Sequence, residues 1–321
     1  MSEGSARMSD PTHDMEGRRA SRRPFAWLRA FLGLFTFWRI FAVVVLLLII
    51  GAMRDDAAPR GPYVARLWID GLIVDDAGRD ALIADLRDDD DVKAVILRIN
   101  SPGGTTAGSE ALYISLRDLA AAKPVVAALG SVAASGGYIA AIGADWIVAR
   151  GNTMTASIGV VMQYPQLTGL LDRLGIEMKE IKSSPLKASP SPFVEAPAAA
   201  IAVQREMVAD SYAWFRGLVA ERRGLEGAAL DAVADGRVVS GRMALDAGLV
   251  DVIGGEPQAV AWLRAEHGVT AAPRDAEIEE ARQKRLIDLV FSQLGVEAPT
   301  FLLREAAGRA LSGPRLMSVL D

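Results

Sequence analysis

A serine set among small residues, just past an apolar run, is the group in this 321-residue chain best placed to do chemistry. It is Ser135, in the run Gly130-Ser131-Val132-Ala133-Ala134-Ser135-Gly136-Gly137-Tyr138. Small neighbours at a strand-to-helix junction expose a hydroxyl and let a substrate approach closely. The pattern is not Gly-x-Ser-x-Gly, because Ala133 stands two residues before the serine. A hydroxyl is a weak nucleophile at neutral pH until a base takes its proton. The only histidines are His13 and His267, both remote from this segment in sequence, so a local Ser-His-Asp triad is discounted. A desolvated, neutral lysine is the natural substitute. The choice is among Lys93, Lys123, Lys179, Lys182, Lys187 and Lys284. The purely structural alternative makes Ser135 an ordinary helix N-cap.

Two other segments bear on the same chemistry. Asn100-Ser101-Pro102-Gly103-Gly104 lies between an apolar run and a helical pattern. Glycines there let a backbone N–H face a ligand, with the positive end of the next helix behind it. An oxyanion hole can be built from main chain in this way. The second segment, 182–193, carries Pro185, Pro190 and Pro192, which forbid a helix and fix an extended loop. Within it Lys187 is flanked by Leu186 and Ala188 rather than by acids, a setting in which its ammonium can lose water; the alternative is an ordinary solvated surface lysine, as most lysines are.

The elements that must hold these residues follow from periodicity. Strands are expected at 63–69, 92–99, 124–129, 145–149, 158–162 and 176–181, with a short segment at 250–252. Helices are expected at 80–86, 105–121, 135–142, 167–174, 198–223, 226–233, 241–247 and 258–267. The apolar run at 92–99 implies burial on both faces. Strand and helix alternating at this spacing predict an α/β fold with helices covering parallel strands. With 51% hydrophobic residues the chain can bury a large core. A net charge of −5 gives no basic footprint for nucleic acid. The absence of cysteine excludes disulfides, thiol catalysis and cysteine zinc sites.

Residues 1–30 form a polar tail with Arg18, Arg19, Arg22 and Arg23, expected on the cytoplasmic side. Residues 31–53 are apolar apart from Arg39. As a helix they would reach roughly 35 Å, enough for a bilayer core of about 30 Å. They are expected to be a single transmembrane signal anchor, with a cleaved signal peptide as the alternative. Residues 54–61 read as a linker and 62–272 as one catalytic domain. Residues 273–321 read as a helical appendage of unassigned role, beginning with a charged helix at 275–294.

Taken together, the motifs resemble a known family. Ile99-Asn100-Ser101-Pro102-Gly103-Gly104, Ala134-Ser135-Gly136-Gly137-Tyr138, Thr155-Ala156-Ser157-Ile158-Gly159-Val160 and the Ser240-Gly241-Arg242 to Val250-Asp251 run occur in this order. They resemble signal peptide peptidase A in its short, single-domain form. These are membrane-anchored Ser-Lys peptidases of family S49, within the Clp protease/crotonase superfamily. The resemblance implies a Clp/crotonase-like spiral of strand-helix units and a serine endopeptidase acting on cleaved, apolar signal peptides. It implies Ser135 as nucleophile, Lys187 as general base, Gly103 and Gly136 as oxyanion-hole donors, and Ser157 as the residue orienting the lysine. It also implies no metal or organic cofactor, and a homo-oligomeric ring whose sites are shared between adjacent protomers. The place expected is the bacterial inner membrane, with the catalytic domain on the exported side. Pro185 and Ala156 stand where glycine is common in the family, which concerns loop shape. The alternatives are a related peptidase cutting other membrane segments, or a catalytically silent membrane scaffold of the same fold.

Overall fold

The computed structural model describes residues 61–276, together with Trp38, Arg39, Phe41, Val43 and Val44. Apart from those five, the expected anchor lies outside the described residues. So does the appendage beyond residue 276. No helix among the described residues is long and apolar enough to cross a membrane.

Strands β1 (Tyr63–Ile73), β2 (Val92–Gly104) and β3 (Val125–Ala134) form the centre of an eight-stranded sheet. They are joined by helices α1 (Ala77–Asp88) and α2 (Thr106–Ala122) and pair in parallel. Asp76 caps α1 by accepting from the Arg79 amide at 3.0 Å, and Thr105 caps α2 by accepting from Gly108 at 3.1 Å. Helix α3 (Gly136–Ile142) then leads to β4 (Trp146–Ala149) and β5 (Met154–Ala156). The sheet forks at β3. Its first half, Val126–Ala128, pairs with β4, and its last residues, Val132–Ala134, pair with β5. Strand β5 in turn takes β6 (Val238–Ser240) antiparallel, while β4 takes β7 (Val252–Ile253) in parallel. The serine follows directly on the β5 arm of this fork.

Alternation along the central strands divides the core in two. Ala65, Leu67, Val95, Leu97, Val125 and Ala127 face one cluster, which includes α1, α2 and all the large residues of α3. Val64, Ala94, Ile96, Val126 and Ala128 face the other, closed by Ala259 and Leu263 of α8 (Glu256–His267). Both faces are therefore dry, which is why these strands read as continuous apolar runs. Helix α4 (Thr168–Arg173), the 26-residue α5 (Ala198–Arg223), α6 (Gly227–Val233) and α7 (Gly241–Asp246) complete the helices. The edge strand β8 (Pro273–Asp275) pairs with Val64–Arg66, so the sheet continues past residue 272 and the expected helix at 275–294 does not begin there.

Two expected strands do not form. The chain leaves the sheet at Ala156 and Ser157, whose φ values are 63° and 55°, and residues 158–162 find no partner strand. Residues 176–181 likewise have none, and Ile181 is fully exposed. Both have strand-like composition, but a strand needs a neighbour. In contrast, the three-residue strands β5 and β6 are too short to show a period.

One ion cluster ties this sheet together. Glu256, the first residue of α8, accepts from Arg66 of β1 and Arg98 of β2, each at 2.6 Å. Burial alone would raise the Glu256 carboxyl, but hydrogen bonds from Arg66 and Arg98 outweigh it and hold the group below its ordinary value. A carboxylate with a depressed folded pKa stabilises the fold above its unfolded pKa, about 4.3, and loses that contribution as pH falls through the folded value. Thermal unfolding followed against pH should therefore show a fall in Tm below about pH 4. Glu256→Gln should cost about 1–3 kcal/mol at pH 7 and flatten that acid step. An unchanged acid limb in the variant would refute this account.

Candidate active site

Ser135 sits on a strained turn. Its φ of 54° and ψ of −119° lie outside the regions open to side-chain-bearing residues, a state costing on the order of 1–3 kcal/mol. Three backbone bonds hold it there. The Ser135 N–H donates to the Ala156 carbonyl at 2.8 Å, and the Ser135 carbonyl accepts from Tyr138 and Ile139 at 2.9 Å. The end of β3 is thereby fixed to β5 on one side and to the first turn of α3 on the other. Every residue of α3 is buried, and Tyr138 donates its hydroxyl to the Leu249 carbonyl at 2.8 Å. The side chain of Ser135 makes no capping bond. The N-cap alternative therefore fails, and Ser135 instead lines a cavity of about 280 Å³.

The glycines around Ser135 bring two strand ends against each other. Gly103 has a φ of 111°, and a Cβ there would stand 2.8 Å from the Gly136 nitrogen and 2.9 Å from Ser135 Cβ. At Gly136 a Cβ would collide with Ser109 Oγ, which donates to the Thr105 carbonyl at 2.8 Å. Of the two expected oxyanion donors, Gly136 lines the cavity and Gly103 does not. The Gly103 amide instead donates to the buried Ser101 hydroxyl at 3.0 Å, so it is already engaged. The next residue, Gly104, does line the cavity, and its nitrogen lies 3.2 Å from where a Gly136 Cβ would be. Gly104 is the second glycine of the Pro102-Gly103-Gly104 turn.

Ser157 also reaches the cavity, its backbone N–H held by the Arg237 carbonyl at 2.9 Å. Lys187 does not. It is exposed in the loop after residue 181, its amide donating to Ser184 at 3.2 Å, and it is absent from the cavity wall. Nor does any other described lysine line it. Lys182 is paired with Glu180 at 2.6 Å and Lys179 with Glu177 at 3.3 Å. Lys93 donates to the Asp90 carbonyl at 2.6 Å. Lys123 donates to the carbonyls of Leu86 and Asp89, and burial lowers its pKa against the pull of Asp89 and Asp90. His267 lies edge-on against Trp262, with ring centroids 4.8 Å apart. Among the described residues no ionisable side chain lines the cavity; its wall is hydroxyls, glycines and apolar groups such as Ile139, Trp214 and Phe215. The described residues thus bring a serine hydroxyl and glycines to one cavity, but no basic side chain.

Comparison with known proteins adds to this geometry. The family model for Peptidase family S49 matches residues 117–270, the stretch that carries both Ser135 and Lys187. A protein of Synechocystis sp. designated a protease is 36% identical over 201 residues, which is 62% of this chain and 72% of that protein. The chain belongs to peptidase family S49. As a member of S49 it is a serine peptidase. Protease 4 of Haemophilus influenzae is 34% identical over 207 residues, 61% of this chain but only 34% of its own length. Among solved structures, ClpP1 of Listeria monocytogenes aligns with a TM-score of 0.40 and 16% identity, covering 59% of this chain and 91% of that one.

The packing of the S49 site makes a prediction. Gly136→Ala should sharply reduce labelling of Ser135 by a serine-reactive probe, because the new methyl group drives into Ser109 Oγ. Combining it with Ser109→Ala removes that oxygen and should restore part of the labelling. Equal losses in the single and double variants would show that the contact does not shape the site.

Proposed function

We propose that this chain is a membrane-anchored serine endopeptidase in which Ser135 attacks the peptide carbonyl and Lys187 of a second copy is the general base. The observation that carries the reading is the uncharged cavity around Ser135, with Lys187 exposed elsewhere on the same chain. A base supplied from outside completes such a site. A lysine amine entering this cavity loses water and meets no carboxylate, so its pKa falls and it becomes able to accept a proton. The Ser157 hydroxyl, on the same wall as Ser135, is placed to orient it.

In the proposed reaction the neutral lysine takes the Ser135 proton as Oγ attacks the carbonyl carbon. The amide N–H groups of Gly136 and Gly104 stabilise the tetrahedral oxyanion, Gly104 replacing Gly103 in this role. The lysine then protonates the leaving amine, and water releases the acyl-enzyme. Peptide binding is supported by residues 158–166, which lie outside any helix or strand and make no backbone hydrogen bond to any described residue. Such an edge accepts an added strand. The resemblance to signal peptide peptidase A supports apolar signal peptides as substrates and a homo-oligomeric, Clp-like ring as the assembly. The arginine-flanked segment 31–53 supports an inner-membrane anchor with the catalytic domain on the exported side.

Ser135→Ala should abolish hydrolysis of an apolar peptide, and Lys187→Ala should lower kcat by about 10²–10⁴-fold. Mixing the two inactive variants tests the sharing of sites. Hybrid interfaces regain an intact serine and an intact lysine, so part of the activity should return. A mixture as inactive as its components would overturn the sharing, and full turnover in Lys187→Ala would remove that residue from the mechanism.

A further inference from the structure

A second concavity, about 760 Å³, continues from the Ser135 cavity and shares Gly159, Val160, Val161 and Gly236 with it. It runs between the free edge at 158–164 and helix α5. Its wall is mainly apolar, with Ile158, Met162, Tyr164, Ile201 and Val208 contributing. On that wall stands Gln204 of α5, whose Oε1 is buried and has no hydrogen-bond partner among the described residues. Among the described residues it is the one buried side-chain polar atom without a partner. A buried acceptor without a partner is costly, and native proteins seldom keep one without a use for it.

We propose that Gln204 is a specificity-determining residue of the peptidase site: on peptide binding its carboxamide turns out of its buried position into the groove, and its Oε1 accepts a hydrogen bond from one backbone N–H of the peptide. The proposal rests on Ser135 being the nucleophile, and it extends that reading by naming what the adjoining groove recognises. A peptide laid along the edge at 158–166 directs alternate N–H groups toward that edge and away from it. Those directed away face α5, where Gln204 waits among apolar side chains. The residue bound there must combine an apolar side chain, to fill the groove, with a free amide hydrogen. Proline, which has none, should be rejected at that one position.

The test uses the full-length protein and an apolar peptide substrate N-methylated at one backbone position at a time. Wild type should lose about 10-fold in kcat/KM for a single methylated position beyond those that abolish cleavage outright, consistent with one unmade hydrogen bond to a buried group. Gln204→Leu should lose a similar factor with the unmodified peptide and show no added loss at that position. Its Tm should be unchanged or higher, since the orphan acceptor is gone; Gln204→Met serves if the leucine variant does not fold. A methylation penalty that persists undiminished in Gln204→Leu would overturn the proposal. So would a uniform loss across all peptides, which marks a structural or assembly role. Hydrolysis surviving in Ser135→Ala would instead bring down the reading of the nucleophile, so the two failures are distinguishable.

Discussion

The hydrogen bond from the Ser135 amide to the Ala156 carbonyl, 2.8 Å long, closes a turn whose backbone would otherwise relax. It ties the last residue of β5 to the first residue past β3, at the place where the sheet forks. Ala156 and Ser157 answer with positive φ values of their own, 63° and 55°, so strain is present on both sides of the contact. The surrounding core resists it: α3 is entirely buried, and the parallel strands beneath are covered on both faces. Rigid packing of this kind lets a hydroxyl stand free of the capping role that its position would otherwise invite.

A second constraint is steric. The ends of β2 and β3 meet so closely that Gly103 and Gly136 leave no space for a side chain between them. That approach sets Gly104 and Gly136 on one wall with Ser135, while Ser101 draws the Gly103 amide into the protein. The wall has no ionisable group, which shapes the chemistry. Nothing in the cavity holds a lysine charged, and nothing in it can deprotonate the serine.

The neighbourhood of the cavity extends this logic. Segment 158–166 lies outside any helix or strand, is exposed at Val161 and Met162, and is unbonded along its backbone to any described residue. In a closed sheet such an edge would be capped or charged. Here it borders the Ser135 cavity, and α5 forms the opposite bank of the adjoining groove.

The sequence by itself determined the alternating α/β order, the burial of the central strands and the serine between small residues. Each is a local property: apolar periodicity, glycine spacing and proline placement act over a few residues. The motif run also determined membership in the family. Tertiary structure alone decided that the Gly103 amide is engaged, because that depends on the Ser101 hydroxyl turning back on it. It decided that 158–162 and 176–181 are not strands, because a strand exists only where a partner lies alongside. It decided, too, that Lys187 stands apart from Ser135 within one chain, and that Gln204 keeps a buried, unpaired oxygen beside the groove. Distances between residues far apart in sequence are set by packing, and no local pattern encodes them.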